Sequence, residues 1–191
     1  MTDINLTLEQ GDFLVVRGES GSGKSTLLRI LAGLIPHSSG DLSYCGIAYD
    51  DDVKHSLRRL SAIITQEEEI YEGNIYDNVS YFDLNTDRDK VRDACKAAQL
   101  RDQIRKLPMR YGTMISNAGT NLSGGQRQRL MLARIFFQDP DVIFLDEATS
   151  QIDGPTEALI LNELKARKKT IIFASHSDDV EKHATKVLRL D

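Results

Sequence analysis

The chain has 191 residues, of which 40% are apolar and 28% charged, and its formal net charge is −5. This balance is typical of one globular α/β domain with a core of useful size. The negative charge disfavours a general nucleic-acid binder, because no basic excess is available to neutralise phosphates. No apolar run approaches the roughly 20 residues of a membrane-spanning helix, and two distant cysteines predict neither a disulfide framework nor a metal site.

Apolar, β-branched runs alternate along the chain with helical patterns. This alternation predicts a mostly parallel sheet covered by helices on both faces. The region at about 70–121 is poorer in strand signals, and the acidic triplets 50–52 and 67–69 are interpreted as solvated loops. In chain order the predicted elements are 13–18 (strand), 24–34 (helix), 41–44 and 61–65 (strands), 87–100, 101–106 and 123–138 (helices), 142–146 (strand), 154–167 (helix), 170–174 (strand), 178–183 (helix) and 186–190 (strand).

A glycine-rich stretch, GESGSGKST at 18–26, follows the first predicted strand and precedes the first predicted helix. It fits the spacing G-x-x-x-x-G-K-[ST] in the strand–loop–helix context that a phosphate-binding loop requires. Its glycines let backbone N–H groups surround phosphate oxygens, its lysine reaches the β- and γ-phosphates, and a hydroxyl is offered to Mg²⁺. The sequence therefore predicts a nucleotide phosphate site formed by Gly18, Glu19, Ser20, Gly21, Ser22, Gly23, Lys24, Ser25 and Thr26.

The apolar strand at 142–146 ends in two adjacent carboxylates, Asp146 and Glu147. An acidic strand end that meets solvent is common and would carry little weight alone. Beside a phosphate loop, however, Asp146 is suited to hold Mg²⁺, mostly through water, and Glu147 to orient or deprotonate an attacking water. We expect this strand to lie beside the phosphate loop.

The stretch LSGGQRQRLMLAR at 122–134 predicts a helix that starts at Ser123, because Ser123 and Gln126 have capping-box spacing. Gly124 and Gly125 fill its first turn, although each glycine costs about 0.5–1 kcal/mol there relative to alanine. Two explanations are open. Either a flexible loop runs into the helix, or a close neighbour touches the backbone where a Cβ would block it. The bare N–H groups of a helix start would suit an anion.

Together, GESGSGKST, LSGGQ and VIFLDE in this order resemble the nucleotide-binding domain of an ABC ATPase, and the resemblance covers nearly the whole chain. LSGGQ is highly specific, since other P-loop NTPases lack it. The resemblance implies an α/β P-loop NTPase fold, with a mostly parallel sheet, helices on both faces and a helical subdomain that carries LSGGQ. It implies one ABC ATPase domain at 1–191, with a RecA-like core at about 1–66 and 140–191 and the helical subdomain at about 70–138.

The resemblance also assigns roles that the residues alone would not. Gln66, in AIITQEE, matches the Q-loop glutamine, which the family uses for Mg²⁺ and for sensing the membrane partner. Asp153, in SQID, matches the D-loop aspartate, and His176, in IIFASHS, matches the switch histidine that contacts the γ-phosphate. Alone, each would be an ordinary polar residue at the end of a strand. The implied cofactors are ATP and Mg²⁺, with the metal held by Ser25, Gln66 and Asp146 and catalysis assigned to Glu147, His176, Lys24 and Gln66.

In the family, two such domains pair head to tail when ATP binds, and the LSGGQ helix of one covers the γ-phosphate held by the other. Applied to this sequence, Gly124 and Gly125 would permit backbone approach, and Ser123 and Gln126 would supply polar contacts. Hydrolysis would follow in-line attack by water, with Lys24, Mg²⁺ and the partner's helix stabilising charge. Each site would be composite, so a single copy is expected to be nearly inactive.

The segments 68–83 and 111–126 resemble those of exporters of peptides, bacteriocins or protein toxins. The implied function is to bind and hydrolyse ATP and so power export through a partner transmembrane domain, at the cytoplasmic side of a membrane and without nucleic acid. The alternative is a soluble ABC ATPase that acts on DNA or ribosomes, although no long heptad insertion is present. LSGGQ, Glu147 and His176 count against a P-loop kinase or transferase and against a non-hydrolysing regulatory module.

Three departures from the family pattern matter. Asn117 stands where exporters usually carry a glutamate, in the segment that meets the membrane domain. The family's adenine-stacking aromatic residue lies on an upstream strand, and Phe13 is not a match for it. The chain also stops at Asp191, just after the last predicted strand. We therefore expect a fragment of a longer protein or a shortened domain. We also expect it to bind nucleotide more weakly, and with less base selectivity, than a complete domain of the family does.

Overall fold

A computed structural model describes residues 4–66, 69–116 and 121–190, and the expectation about Asn117 lies outside them. A 3₁₀ turn spans Arg110–Gly112. The strands are β1 (Phe13–Gly18), β2 (Ser43–Tyr44), β3 (Ile47–Ala48), β4 (Ser61–Ile64), β5 (Gly73–Asn74), β6 (Met114–Ile115), β7 (Val142–Asp146), β8 (Thr170–Ala174) and β9 (Lys186–Leu190). The helices are α1 (Lys24–Leu31), α2 (Asp51–Leu60), α3 (Ile75–Ser80), α4 (Arg88–Ala97), α5 (Arg101–Lys106), α6 (Gly124–Gln138), α7 (Gly154–Ala166) and α8 (Asp178–Lys182).

The central sheet consists of five parallel strands in the order β4-β7-β8-β1-β9. The strand of Asp146, β7, is separated from β1 by β8, yet Asp146 reaches the phosphate loop and bonds with Ser25. In register, Ala174 of β8 is paired with Val16 on one side and with Asp146 on the other. The carboxyl ends of β1, β8 and β7 therefore meet at one edge of the sheet, which is where ligands bind in such folds.

Helices cover both faces of this sheet, as the sequence predicted. Along β1, Phe13 and Val15 pack into one core cluster, while Leu14 and Val16 pack into another on the opposite face. This alternation follows from the two-residue period of a strand. Phe13 is buried and stacks on Phe173, with ring centroids 6.4 Å apart. Phe13 is therefore part of the core and does not offer a surface to an adenine ring.

The segment after α1 differs from the prediction. In place of a strand at 41–44, β2 and β3 form a short hairpin whose two turn residues, Cys45 and Gly46, have φ of 53° and 76°. The hairpin leads into α2, which the sequence analysis missed. Asp50 caps that helix, since its side chain accepts a hydrogen bond from the N–H of Val53 at 2.8 Å. The acidic triplet thus begins a helix, where negative charge is favourable, rather than forming a loop.

The helices between β4 and β7 pack around α6. Helix α3 was not predicted from the sequence, although Asn74 and Asp77 form a capping box at its start. The predicted helix at 87–100 is shorter than expected, because Gln99 has a positive φ of 56° and separates α4 from α5. These elements and α6 form a continuous apolar core with the sheet.

The two cysteines differ sharply in reactivity on this fold. Cys45 is exposed and Cys95 is fully buried on α4. Burial raises the pKa of the Cys95 thiol to about 12, so it holds almost no thiolate in mildly alkaline solution. We expect the reagent DTNB to titrate only Cys45 in the folded chain and both thiols after denaturation. Fast reaction of Cys95 in the folded chain would contradict the packing described here.

Candidate functional site

The phosphate loop joins β1 to α1 and is bound by its own lysine. Lys24 is buried, and its Nζ donates to the carbonyl oxygens of Gly18 and Glu19, each at 2.8 Å. These two bonds satisfy the ammonium group within the loop. A phosphate would offer charged oxygens in place of neutral carbonyls, and hydrogen bonds to charged groups are the stronger kind. Lys24 is therefore placed to exchange its loop partners for a phosphate.

Two glycines give this loop its shape. Gly23, at the N-cap of α1, has a φ of 98°, which side-chain-bearing residues adopt only with strain. A Cβ at Gly18 would collide with Ser22 Oγ and lie 2.5 Å from the carbonyl oxygen of Leu190. Because Gly23 has no side chain to cap α1, the first N–H groups of that helix are open to an anion.

Asp146 ends β7 inside the protein, with 4% of its surface exposed. Burial raises the pKa of this carboxyl group, and a hydrogen bond with Ser25 acts in the opposite direction. Among the described residues, no donor reaches its Oδ1 atom. A buried carboxylate oxygen without a donor is costly, and carboxylate and hydroxyl oxygens are ligands that Mg²⁺ accepts. Ser25 and Asp146 therefore fit the magnesium site predicted for them.

Glu147 and His176 form a pair at the same edge of the sheet. The Nε2 atom of His176 lies 3.1 Å from Oε1 of Glu147, and both side chains are partly exposed. Glu147 has a φ of 50°, a left-handed conformation that is uncommon for residues other than glycine. Its N–H donates to the carbonyl oxygen of Ala174 at 2.9 Å. This turn separates the two carboxylates, so that Asp146 is buried and Glu147 faces the histidine.

Gln66 lies exposed just after β4 and lines a groove of about 530 Å³. Asp146, Glu147 and Gly124 line the same groove. The structure thus brings together the glutamine, both carboxylates and the start of α6. The phosphate loop and His176 border a different and larger opening, of about 1120 Å³, which Gly18, Glu19, Ser20 and Ser22 line from the loop side.

The predicted capping box at the start of α6 is confirmed. Ser123 Oγ accepts a hydrogen bond from the N–H of Gln126 at 3.3 Å, and Gln126 Oε1 accepts one from the N–H of Ser123 at 2.8 Å. The two side chains predicted to contact a nucleotide are therefore engaged with each other and with the helix start in this chain. They fix the position of the first turn.

Gly124 and Gly125 touch a neighbour in their own chain. A Cβ at Gly124 would overlap the side-chain amide oxygen of Gln151, and one at Gly125 would lie 2.6 Å from the Gln151 carbonyl oxygen. Of the two explanations that the sequence left open, close contact is therefore the one observed. The neighbour in this chain is residue 151, whereas the family resemblance had pointed to a partner's nucleotide.

Gln128 also contributes to this region, although the sequence did not single it out. It is buried, and its Nε2 donates to the Glu147 carbonyl oxygen and to Ser150 Oγ, each at 3.0 Å. Its Oε1 accepts from the N–H of Gln151 at 2.8 Å. The side chain therefore binds α6 to the loop that follows Asp146 and Glu147. A glutamine within a polar helix start carries no sequence signal for this contact.

The last predicted site residue, Asp153, caps α7. Its side chain accepts a hydrogen bond from the N–H of Thr156 at 3.1 Å, and this bond lowers the pKa of the carboxyl group. Asp153 is exposed at the end of the segment that Gln128 holds. The structure thus gives it a capping role, and its predicted role towards a partner's nucleotide stays a prediction.

Comparison with known proteins identifies the family. The model of the ABC transporter family matches residues 1–150. The chain belongs to this family. Over its full length this ABC domain is 35% identical to the transport/processing ATP-binding protein ComA of Streptococcus pneumoniae and, over 193 residues, 37% identical to the lactococcin-G-processing and transport protein LagD of Lactococcus lactis. It also superposes on a bacterial Atm1-family ABC exporter with ATP bound, with a TM-score of 0.88, 31% identity and coverage of 95% of the chain.

These matches confirm the predicted family and the P-loop fold, and the relatives that they name are ATP-binding proteins. The ABC domain spans under a third of its relatives: 27% of ComA, 28% of LagD and 32% of the exporter chain. In the parts of the chain that the structure describes, no helix has the length and apolar character needed to cross a bilayer.

The contacts of the two glycines with Gln151 lead to a test by matched substitution. A Cβ at Gly125 would lie 2.6 Å from the backbone carbonyl oxygen of Gln151, which cannot rotate aside, so Gly125→Ala should lower the free energy of unfolding by about 1–3 kcal/mol. A Cβ at Gly124 would meet only the end of the exposed Gln151 side chain, which can rotate away, so Gly124→Ala should cost much less. Urea denaturation of the two variants measures the difference, and an equal loss in both would exclude the backbone contact.

Proposed function

We propose that this domain binds and hydrolyses ATP and thereby powers export of a substrate through a transmembrane partner. One observation carries the proposal: a buried lysine in a phosphate loop, a buried carboxylate and a glutamate–histidine pair meet at the carboxyl edge of one sheet. This set matches what phosphoryl transfer to water requires, namely charge stabilisation, a metal ligand and a group that accepts a proton. ComA and LagD, which resemble the chain, are described as transport proteins.

The proposed ATP site begins at the phosphate loop. Lys24 leaves its loop carbonyl oxygens and binds the β- and γ-phosphates, while the N–H groups at the start of α1 bind phosphate oxygens. Ser25 and Asp146 would hold Mg²⁺, and Gln66 would face it from the adjoining groove. Bound there, Mg²⁺ would neutralise charge that develops on the transferred phosphoryl group.

Glu147 is the proposed general base. As the water oxygen bonds to the γ-phosphorus and the bond to the ADP oxygen breaks, the Glu147 carboxylate accepts a proton from that water. His176, 3.1 Å from the carboxylate, holds it in position and contacts the γ-phosphate. The left-handed turn at Glu147 supports this assignment, because backbone strain of this kind concentrates at functional sites.

Two copies are proposed to complete each other's sites. The start of α6 and the phosphate loop line different openings of one chain, so the predicted contact between LSGGQ and the γ-phosphate needs a second copy. In a head-to-tail pair, the core at 1–66 and 140–191 of one copy would face the helical subdomain at 70–138 of the other. Ser123, Gly124, Gly125, Gln126 and Asp153 would then approach the partner's nucleotide.

The first test is steady-state hydrolysis of Mg²⁺–ATP against protein concentration. We expect the rate per molecule to rise with concentration, because each active site needs two copies. Glu147→Gln keeps the shape of the side chain but removes the base, and it should lower the rate by about 10²–10⁴-fold. Asp141→Asn, on an exposed carboxylate at the opposite end of β7, is a matched control that should keep the wild-type rate. A rate independent of Glu147 would refute the mechanism.

A patch of exposed apolar side chains supports a protein partner. Tyr71, Phe82 and Leu84 are 45%, 45% and 99% exposed, and the rings of Tyr71 and Phe82 contact edge to face at 6.3 Å. They lie in or next to the segment 68–83, whose pattern resembles exporters. Adjacent apolar groups of this size on a surface mark interaction sites. We propose that this patch receives the transmembrane partner at the cytoplasmic side of a membrane.

Arg134 connects this patch to the LSGGQ helix. It is buried on α6, and its guanidinium donates to the carbonyl oxygens of Asn78 and Glu69 at 2.8 and 2.9 Å. It also lies under the rings of Tyr71 and Tyr81, about 5 Å from their centroids. A movement of the patch would therefore be transmitted to α6, and through Gln128 to the loop after Glu147.

Leu84 gives a test of the partner surface that leaves the fold intact. Burying a leucine contributes about 1.5–3 kcal/mol, so Leu84→Ser should weaken binding to the transmembrane partner by about 10–100-fold. Hydrolysis by the isolated domain should not change. Leu159→Ser, on the exposed side of α7, is the matched control. The measurement is the rate of ATP hydrolysis by the domain reconstituted with its transmembrane partner in proteoliposomes. An equal effect of the two substitutions on this rate would argue against this surface.

A further inference from the structure

A cavity lined by arginine lies among the helices between β5 and β6, apart from the ATP site. Its volume is about 390 Å³, and α3, α4, α5 and the 3₁₀ turn contribute to its walls. Arg101 and Arg105 are four residues apart on α5, so they lie on one face of that helix. The aromatic and arginine side chains that line the cavity are Tyr76, Arg92, Arg101, Arg105, Arg110 and Tyr111. We call this set the arginine pocket.

The charge of the arginine pocket is not balanced from within the described chain. None of its lining residues is acidic. Arg92 is paired with Asp89 at 2.6 Å and bonds to Tyr76. Arg101, Arg105 and Arg110 form no ion pair with any described residue. Three guanidinium groups thus share one cavity in a chain whose net charge is −5. An anion bound among them would relieve their mutual repulsion.

Two further features shape the arginine pocket. Tyr111 is 9% exposed, and its ring stacks on Tyr76 at 5.1 Å, which forms an aromatic wall. Arg110 has a φ of 48°, a left-handed conformation that is uncommon for residues other than glycine. A stacked aromatic wall and an arginine in an unusual backbone conformation therefore border the same cavity.

We propose that the arginine pocket binds a small ligand that carries a diphosphate group. Two phosphate groups carry about −3 charge at neutral pH, which balances the three unpaired guanidinium groups. Planar guanidinium groups bind pairs of phosphate oxygens through two parallel hydrogen bonds. The cavity volume lies within the usual range for small-molecule sites, about 300–1,000 Å³. This site is separate from ATP hydrolysis and does not depend on it.

An acidic protein segment fits the arginine pocket less well. One carboxylate would balance one of the three unpaired charges, and a helix bearing several carboxylates, about 10 Å across, would not enter a cavity of this size. A diphosphate concentrates its charge in a few atoms. The charge and the volume of the cavity therefore both favour the small anion.

The test is a residue-resolved NMR titration of the isotope-labelled chain with inorganic pyrophosphate and, separately, with ADP. Saturable shifts are expected for the amides of Tyr111 and Gly112 in the pocket and, independently, for those of Gly21 and Gly23 in the phosphate loop. Lys24→Ala should weaken only the second set, so the two sites are separable. Equal pocket affinities for the two compounds would show that the diphosphate alone is recognised, and tighter ADP binding would show that its nucleoside contributes.

The matched variants decide the outcome. Arg101→Gln/Arg105→Gln should weaken binding in the pocket at least 10-fold and leave the phosphate-loop shifts unchanged, since both side chains are exposed and outside the ATP site. Arg58→Gln/Arg59→Gln removes the same charge from α2 and should change neither set. Pocket shifts that do not saturate, or that persist in the first variant, would overturn the proposal. Saturable binding of a hexaglutamate peptide without pyrophosphate binding would also overturn it, in favour of an acidic protein partner.

Discussion

The parallel register of β1, β8 and β7 is the constraint on which the site depends. Parallel strands place their carboxyl ends at one edge, so the phosphate loop after β1, His176 after β8 and the carboxylates at the end of β7 meet without any long loop to carry them. The position of β8 between β1 and β7 determines where His176 lies. It places the histidine between the phosphate loop and the acidic end of β7, where it contacts Glu147.

Backbone geometry, more than side-chain chemistry, shapes the two places where phosphate is expected. In the loop after β1, glycines at positive φ and uncapped N–H groups form the concave surface. At the start of α6 the same residue type serves a different end, since Gly124 and Gly125 make room for Gln151. The loop after Asp146 and Glu147 therefore packs directly against the LSGGQ helix, and Gln128 holds it there by hydrogen bonds.

Local patterns in the sequence predicted local features well. The phosphate loop, the capping box of Ser123 and Gln126 and all five strands of the central sheet could be predicted, because each depends on a few adjacent residues. The strand order, the partner of Gly124 and the contacts of Gln128 depend on residues 19 or more positions apart, for which one sequence gives no signal. The helix α2 was missed for a different reason: its acidic start looks like solvated loop when capping by Asp50 is not considered.

Arg134 has a consequence for how this sequence can vary. Its buried guanidinium satisfies both the carbonyl and the side-chain oxygen of Asn78, together with the carbonyl of Glu69. Removal of the arginine would take a donor away from all three oxygens, at a cost of about 1–3 kcal/mol for each buried group left unsatisfied. The arginine is thus expected to persist over evolutionary time. Substitutions elsewhere in the exposed patch can accumulate freely, which would let relatives adapt to different membrane partners while keeping the same linkage to α6.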